Sequence, residues 1–132
     1  MSRNVVENPQ EFFAKLGGMH DASIEWIGFL PDQLQVELKI SDINSNFNGL
    51  SSYSGRRPSS LFFSDVQRLF VDTAPLEGIF IDKISIGDES AFFIANIYLN
   101  VGPSELSYGL NIGNIQIVFR SLEISADLPQ FP

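Results

Sequence analysis

The chain offers few side chains that could carry chemistry, because its 132 residues include a single histidine, His20, and no cysteine. His20 stands beside Asp21, and an imidazole held by a carboxylate can act as a general base. Adjacent residues entering a strand point to opposite faces of the sheet, which argues against a direct pair. We therefore interpret His20 and Asp21 as structural, with His20 bonding main-chain groups and Asp21 closing a turn.

An enzymatic alternative stays open beside this interpretation. In it the chain is a small-ligand binder or a minor hydrolase-type enzyme with a pocket lined by sheet residues, and His20 acts with Asp21 or a distant carboxylate. Arg68 or Arg120 would then bind an anionic group. No nucleophile-elbow, phosphate-loop, zinc-protease or dinucleotide motif occurs in the sequence, so we expect no enzyme.

Acidic residues around position 88 are candidates for a cation site. Asp82, Asp88 and Glu89 lie close together in sequence, but they lack the ordered spacing of a calcium loop. Such a cluster is typical of the solvated end of a hairpin. The sequence therefore predicts neither a metal nor a cofactor.

A polar segment from Asn44 to Ser60 is the strongest candidate for a binding surface. It is rich in Asn, Ser and Gly, and loops longer than about 12 to 15 residues are usually functional or mobile. Tyr and Arg are enriched among the residues that dominate binding energy. The alternative is a loop whose arginines only pair with nearby carboxylates. We predict a partner-binding loop that uses Phe47, Tyr53, Arg56 and Arg57.

The elements that position these residues are one short helix and a series of strands. Asn8 and Pro9 are a favourable helix start, and Gly17 with Gly18 predicts its end. From Ile24 onward the apolar residues alternate with polar ones, which is the period of a half-buried strand. Parallel pairing needs crossover helices, and none follows Gly18. The fold class is therefore mainly β, either all-β or α+β: one domain over 1–132, an antiparallel sandwich or partly open barrel.

Turn residues divide the strands. We predict a hairpin turn at Leu30 to Gln33, and a bulge or corner at Ser64–Asp65. A hairpin loop at Gly87 to Ser90 precedes a strand from Phe92 to Val101, and Gly113–Asn114 is predicted to be a turn after a strand through Leu106 to Ile112. The last residues, 128–132, are expected to be irregular.

Doubled phenylalanines occur at 12–13, 62–63 and 92–93. On a strand, such a pair sends one ring to each face, so the second ring must be covered or form an exposed apolar patch. A patch of this kind would suit a protein partner or a second copy of the chain. The oligomeric state is left as monomer or homodimer.

Charge and composition exclude other classes of partner. The net charge is −8 and the pI is about 4.4, which disfavours binding to a phosphate backbone. No apolar run approaches the ~18 residues that a membrane-spanning helix needs. The chain has no cysteine and no apolar leader near Met1, so we expect a cytoplasmic protein that binds neither nucleic acid nor membrane.

Part of the sequence resembles a known family. The segment from Gly18 to Ile27, with its His-Asp-Ala-x-Ile pattern, and the alternating strand that follows are similar to the opening of the immunity protein 50 family. A later segment, Leu61 to Leu69, also resembles that family. The resemblance implies no catalysis. It implies an inhibitor that binds and neutralises a bacterial toxin, and an acidic chain would suit a basic toxin domain.

Overall fold

The computed structural model describes residues 3–73, 79–101 and 111–125, and these fold as two antiparallel sheets around a shared core. The elements are β1 (Asn4–Val6), α1 (Pro9–Lys15), β2 (Ile24–Leu30), β3 (Gln35–Ile40), β4 (Ser59–Ser64), β5 (Arg68–Thr73), β6 (Ile79–Glu89), β7 (Phe92–Val101), β8 (Asn111–Phe119) and β9 (Ser121–Ile124). The strands form a five-stranded sheet in the order β1-β9-β4-β3-β2 and a four-stranded sheet in the order β5-β8-β7-β6. The predicted mainly β, antiparallel fold class is confirmed.

Alternation along the strands builds the core. In β3 the side chains of Val36, Leu38 and Ile40 are buried, while Lys39 between them is exposed. This is the pattern of a strand with one face on the core and one in water. The two sheets meet through aromatic rings: Phe63 of β4 packs edge-on against Phe119 of β8, with ring centroids 4.9 Å apart.

The helix forms where the capping residues predict it. The Asn8 side chain accepts a hydrogen bond from the Glu11 N–H at 3.1 Å, which satisfies one of the free donors of the first turn. Phe12 and Phe13 are buried, and α1 packs against β6. The helix is followed by a 3-10 turn at Gly17–Met19, in which Gly18 has a φ of 69°. No helix in the described part of the chain is long and apolar enough to cross a bilayer.

The predicted corner at Ser64–Asp65 is confirmed, and it carries the chain from one sheet to the other. β4 ends at Ser64 in the five-stranded sheet, and β5 begins at Arg68 in the four-stranded sheet. Asp65 has a φ of 56°, so the chain turns through a left-handed residue there. On the other side of the sandwich, an isolated bridge between Ser23 and Phe80 links the start of β2 to β6.

Two predicted turns are wrong in their position. β6 continues through Gly87 to Glu89, and the hairpin turn is Ser90–Ala91. Gly87 lies opposite Ile94, and a Cβ there would come within 3.3 Å of the Ile94 Cγ2. This glycine therefore leaves room for a cross-strand neighbour rather than making a turn.

The second displaced turn lies in β8, which runs through Gly113 and Asn114. Hydrogen-bonded partners on both sides, β5 and β7, override the turn preference of these two residues. The strand β1 was not predicted, because three residues are too few to show alternation. Residues 106–110 of the predicted strand Leu106 to Ile112 lie outside the described residues, as does the predicted irregular end at 128–132.

Arginines cover the outward ring of two doubled phenylalanines. Phe63 faces the core, while Phe62 points outward beneath the Arg3 guanidinium, 3.6 Å from the ring centroid. Phe93 stacks on a core ring, and Phe92 lies beneath Arg120 at 4.8 Å. Guanidinium groups stack favourably on aromatic faces. Phe62 is therefore covered from within the chain, and Phe92 is covered on one face.

Candidate functional site

The segment predicted to bind a partner is a loop closed by one carboxylate. We call residues 41–58 the pinned loop. Asp42 Oδ1 accepts hydrogen bonds from the N–H groups of Asn44 and Arg57, each at 2.9 Å, and its Oδ2 accepts one from the Tyr53 hydroxyl at 2.7 Å. Because Arg57 lies fifteen residues after Asp42, these bonds tie the two ends of the loop together.

A buried amide organises the interior of the pinned loop. Asn44 is only 5% exposed, and its Nδ2 donates to Ser54 Oγ at 3.1 Å and to the Gly55 main-chain oxygen at 3.0 Å. The Ile43 N–H also donates to the Arg57 oxygen at 3.1 Å. Buried polar groups are stable only when they are paired in this way. The loop is thus folded on its own polar side chains.

The hydrogen bond between Tyr53 and Asp42 changes the acidity of the phenol. The pKa of Tyr53 is raised above its usual value of 10.0, first because its hydroxyl donates to Asp42. Desolvation and the Asp42 charge raise the pKa further, and the nearby Arg56 charge opposes them. Ionising Tyr53 would remove the donor and place a second negative charge beside the carboxylate.

The structure brings three of the four predicted binding residues together around Asp42. Tyr53 contacts it directly, and Arg57 through its main chain. Arg56 donates from Nε to the Ser41 oxygen at 3.2 Å and lies 3.8 Å from Glu25 on β2. Phe47, the fourth, is partly buried and packs against the hydrophobic core. Its ring anchors the loop, and a binding role for the other three stays a prediction.

The structure contradicts the expectation that His20 and Asp21 do not meet. His20 Nε2 lies 3.4 Å from Asp21 Oδ1, because neither residue has entered a strand and Asp21 has a φ of 69°. The Nδ1 atom lies 2.7 Å from the Asp82 main-chain oxygen. A carbonyl oxygen only accepts hydrogen bonds, so Nδ1 carries the proton. The prediction that His20 bonds main-chain groups is confirmed.

A serine close to His20 does not form a nucleophile–base pair with it. The Ser45 hydroxyl donates to the main-chain oxygen of His20 at 2.7 Å rather than to the ring. This bond ties the pinned loop to the turn after α1. Among the described residues, no group of three or more His, Asp or Glu side chains is arranged to hold a metal ion.

An exposed apolar surface lies on the hairpin of β2 and β3, and sequence reasoning did not single it out. Four large apolar side chains there are each between 37% and 46% exposed. The signal was present in β2, whose Ile-Glu-Trp-Ile-Gly-Phe-Leu run places apolar residues on both faces of a strand at the edge of its sheet. We call this the hairpin surface, and it consists of Trp26, Phe29, Leu30 and Leu34.

Trp26 is held flat on its own strand. A Cβ at Gly28 would come within 2.0 Å of the Trp26 ring, so the indole lies across the glycine. Lys39, opposite Trp26 on β3, places its Nζ 5.3 Å from the ring centroid. Glu25, the residue before Trp26, contacts Arg56 of the pinned loop. The pinned loop therefore adjoins the hairpin surface at its Trp26 end.

Comparison with known proteins yields one structural likeness. No protein-family model matches the chain, and no curated protein matches it. Its fold is similar to a crystal structure of an uncharacterized protein from Neisseria gonorrhoeae, with a TM-score of 0.52 and 12% sequence identity. The match covers 96% of this chain and 99% of that one. At this identity the likeness concerns the fold alone.

Proposed function

We propose that this chain is a non-catalytic domain that binds a protein partner through the hairpin surface and the adjoining pinned loop. The observation that carries the proposal is the exposure of four large apolar side chains on one hairpin, with the Trp26 ring lying across Gly28. Exposed apolar surface marks interaction sites, and a tryptophan loses little conformational entropy on binding. Tyr53 and Arg56 would supply the polar rim.

The net negative charge of the chain favours a basic protein as the partner. With sixteen acidic and eight basic residues, the chain attracts a basic protein and repels nucleic acid. A basic toxin domain, neutralised by an immunity-type inhibitor, has this chemistry. A cytoplasmic location is part of the proposal, because the chain has no cysteine and therefore forms none of the disulfides that are typical of oxidising compartments.

The contacts of His20 support a structural role for this residue. Its Nδ1 bonds the Asp82 main-chain oxygen and so fixes the ring on the turn after α1. The Ser45 hydroxyl, which contacts the main chain of His20, is directed to a carbonyl rather than to the ring. A general base must lie within hydrogen-bond reach of the group that it deprotonates. His20 therefore suits a structural role in the proposed function.

The test is a binding measurement with a purified partner. A candidate basic protein, captured from the native host and then purified, is titrated with wild-type protein in a calorimeter. We expect Trp26→Ala to weaken binding at least tenfold, as is usual for a central aromatic contact. Phe70→Ala is the matched control, because Phe70 is 50% exposed on the other sheet. Equal affinities of Trp26→Ala and wild type would refute the proposal.

Self-association is the competing use of the same surface. Light scattering over a concentration series should show a monomer if the hairpin surface serves another protein. A dimer that Trp26→Ala converts to a monomer would instead assign the surface to a second copy of the chain. Raising the salt concentration should slow association with a basic partner.

A further inference from the structure

A cleft of about 240 Å³ opens on the four-stranded sheet. It lies where β5 begins and where the β6–β7 hairpin turns, because Arg68 pairs with Val118 and Glu89 pairs with Phe92. His20 is not among its lining residues. The cleft is lined by Gln67, Arg68, Glu89, Ser90, Phe92 and Val118.

The Arg68 guanidinium is the feature that points to a ligand. Its side chain is 59% exposed, and among the described residues its polar contact is Glu89 Oε1 at 3.6 Å, beyond hydrogen-bond distance. By contrast, Arg56 bonds the Ser41 oxygen and Arg120 reaches Asp65 at 3.1 Å. Arg68 therefore presents a planar set of N–H donors that matches a carboxylate.

The other walls of the cleft are apolar and polar. Phe92 and Val118 provide an apolar side, and the Ser90 side chain adds a hydroxyl. Arg120 stacks on the Phe92 ring at 4.8 Å but also pairs with Asp65, and Glu89 lies beside Arg68. Because these acidic partners balance both arginines, a carboxylate ligand must replace Glu89 at Arg68 and bind through the N–H geometry of the guanidinium.

We propose that this cleft binds a carboxylate attached to a small apolar group. Arg68 holds the carboxylate, and Phe92 with Val118 receives the apolar group. The volume is below the roughly 300 to 1,000 Å³ of drug-sized sites, so it fits a ligand of about one residue. Such a group can come from a free organic acid or from the last residue of a peptide. This inference does not depend on the proposed protein-binding function.

The test is a titration of ¹⁵N-labelled protein followed by two-dimensional NMR. N-acetylphenylalanine is the probe, and N-acetylphenylalanine amide is its uncharged counterpart. We expect saturable shifts at the amides of Gln67, Ser90 and Val118 with the acid but not with the amide. The inference is overturned if the acid gives no saturable shifts in the millimolar range, or if acid and amide give the same shifts.

Variants assign the binding to Arg68. We expect Arg68→Gln to weaken the affinity about tenfold or more and Arg68→Lys to weaken it less, since lysine keeps the charge but loses the planar fork. Arg3→Gln is the matched control, an exposed arginine that lies over Phe62 on the other sheet. Unchanged affinity in Arg68→Gln, or equal losses in both glutamine variants, would contradict the assignment. The unperturbed spectrum outside the cleft verifies that each variant is folded.

The source of the carboxylate is resolved by two further probes. A short acetylated peptide ending in a free phenylalanine is compared with phenylacetate. Tighter binding of the peptide assigns the cleft to a chain terminus, and tighter binding of phenylacetate assigns it to a free acid. If neither probe binds, the inference is wrong.

Discussion

The pinned loop and the hairpin surface adjoin each other, yet they use their side chains in opposite ways. In the loop, the Tyr53 hydroxyl and the Asn44 amide are engaged in bonds that close the loop itself. In the hairpin, Trp26 and Phe29 remain 45% and 44% exposed. The pinned loop thus uses many of its polar side chains to hold its own structure. The β2–β3 hairpin exposes more large apolar side chains than the loop does.

This difference arises because the main-chain polar groups of each segment must be hydrogen-bonded. Side chains that pair with the main chain are not available to a partner. A loop without strand partners must satisfy its main-chain groups with its own polar side chains. A hairpin satisfies its main chain through the ladder, as Ile27 and Leu38 do between β2 and β3. The side chains of the hairpin are therefore not needed to pair its main-chain groups. Four predictions test this contrast between the pinned loop and the hairpin surface.

The largest expected effect is the loss of the loop's central carboxylate. Asp42→Ala leaves the Asn44 and Arg57 N–H groups and the Tyr53 hydroxyl without their acceptor. We expect the free energy of unfolding to fall by about 3 kcal/mol, as for hydrogen bonds to a charged group. Urea denaturation measures it, with the exposed Asp32→Ala as control. A loss no larger than that of Asp32→Ala would mean that the carboxylate does not hold the loop.

The second prediction is a pH dependence from Tyr53. Its pKa in the folded protein is raised above 10.0, so its contribution to stability is complete below pH 10 and is lost as the pH rises through the raised pKa. Tyr53→Phe should be less stable than wild type near neutrality, by less than Asp42→Ala. The difference should shrink in alkaline solution. If the stability difference between wild type and Tyr53→Phe is the same at neutral and at alkaline pH, the ionisation of Tyr53 is not linked to folding.

The third prediction concerns His20, which Ser45 connects to the pinned loop. His20→Ala removes the bond to the Asp82 main-chain oxygen, and the ring is about half exposed. We expect a loss of about 0.5 to 1 kcal/mol in stability and no change in partner affinity. Thermal unfolding and calorimetry measure the two quantities. Lost binding in a fully folded variant would make His20 part of the functional site.

The smallest effect on stability is expected from Gly28→Ala. The new Cβ would collide with the Trp26 ring, which must move off the strand. Because the ring is the mobile end of an exposed side chain, we expect a stability change below about 0.5 kcal/mol. The fluorescence of this single tryptophan should shift to longer wavelength as its exposure rises. Emission identical to wild type would mean that Gly28 does not hold the ring in place.

Particular elements show how far sequence reasoning reached. The cap at Asn8, the alternation from Val36 to Ile40 and the corner at Ser64 were predictable, because each depends on residues close in sequence. The turn positions near Gly87 and Gly113 were not, since cross-strand partners decide whether a glycine turns or stays in a strand. The sequence identifies Arg68 as a candidate residue for binding an anion, but it does not predict the cleft in which Arg68 lies.

The sequence by itself determined the mainly β fold class, the helix after Asn8 and the acidic character, because periodicity, capping and charge are properties of neighbouring residues. Only the tertiary structure decided which groups are already engaged: Asp42 with Tyr53, His20 with Asp82, and Arg3 over Phe62. Each of these contacts joins residues that are eleven or more positions apart. Which side chains remain free for a partner follows from that pairing, and local sequence does not encode it.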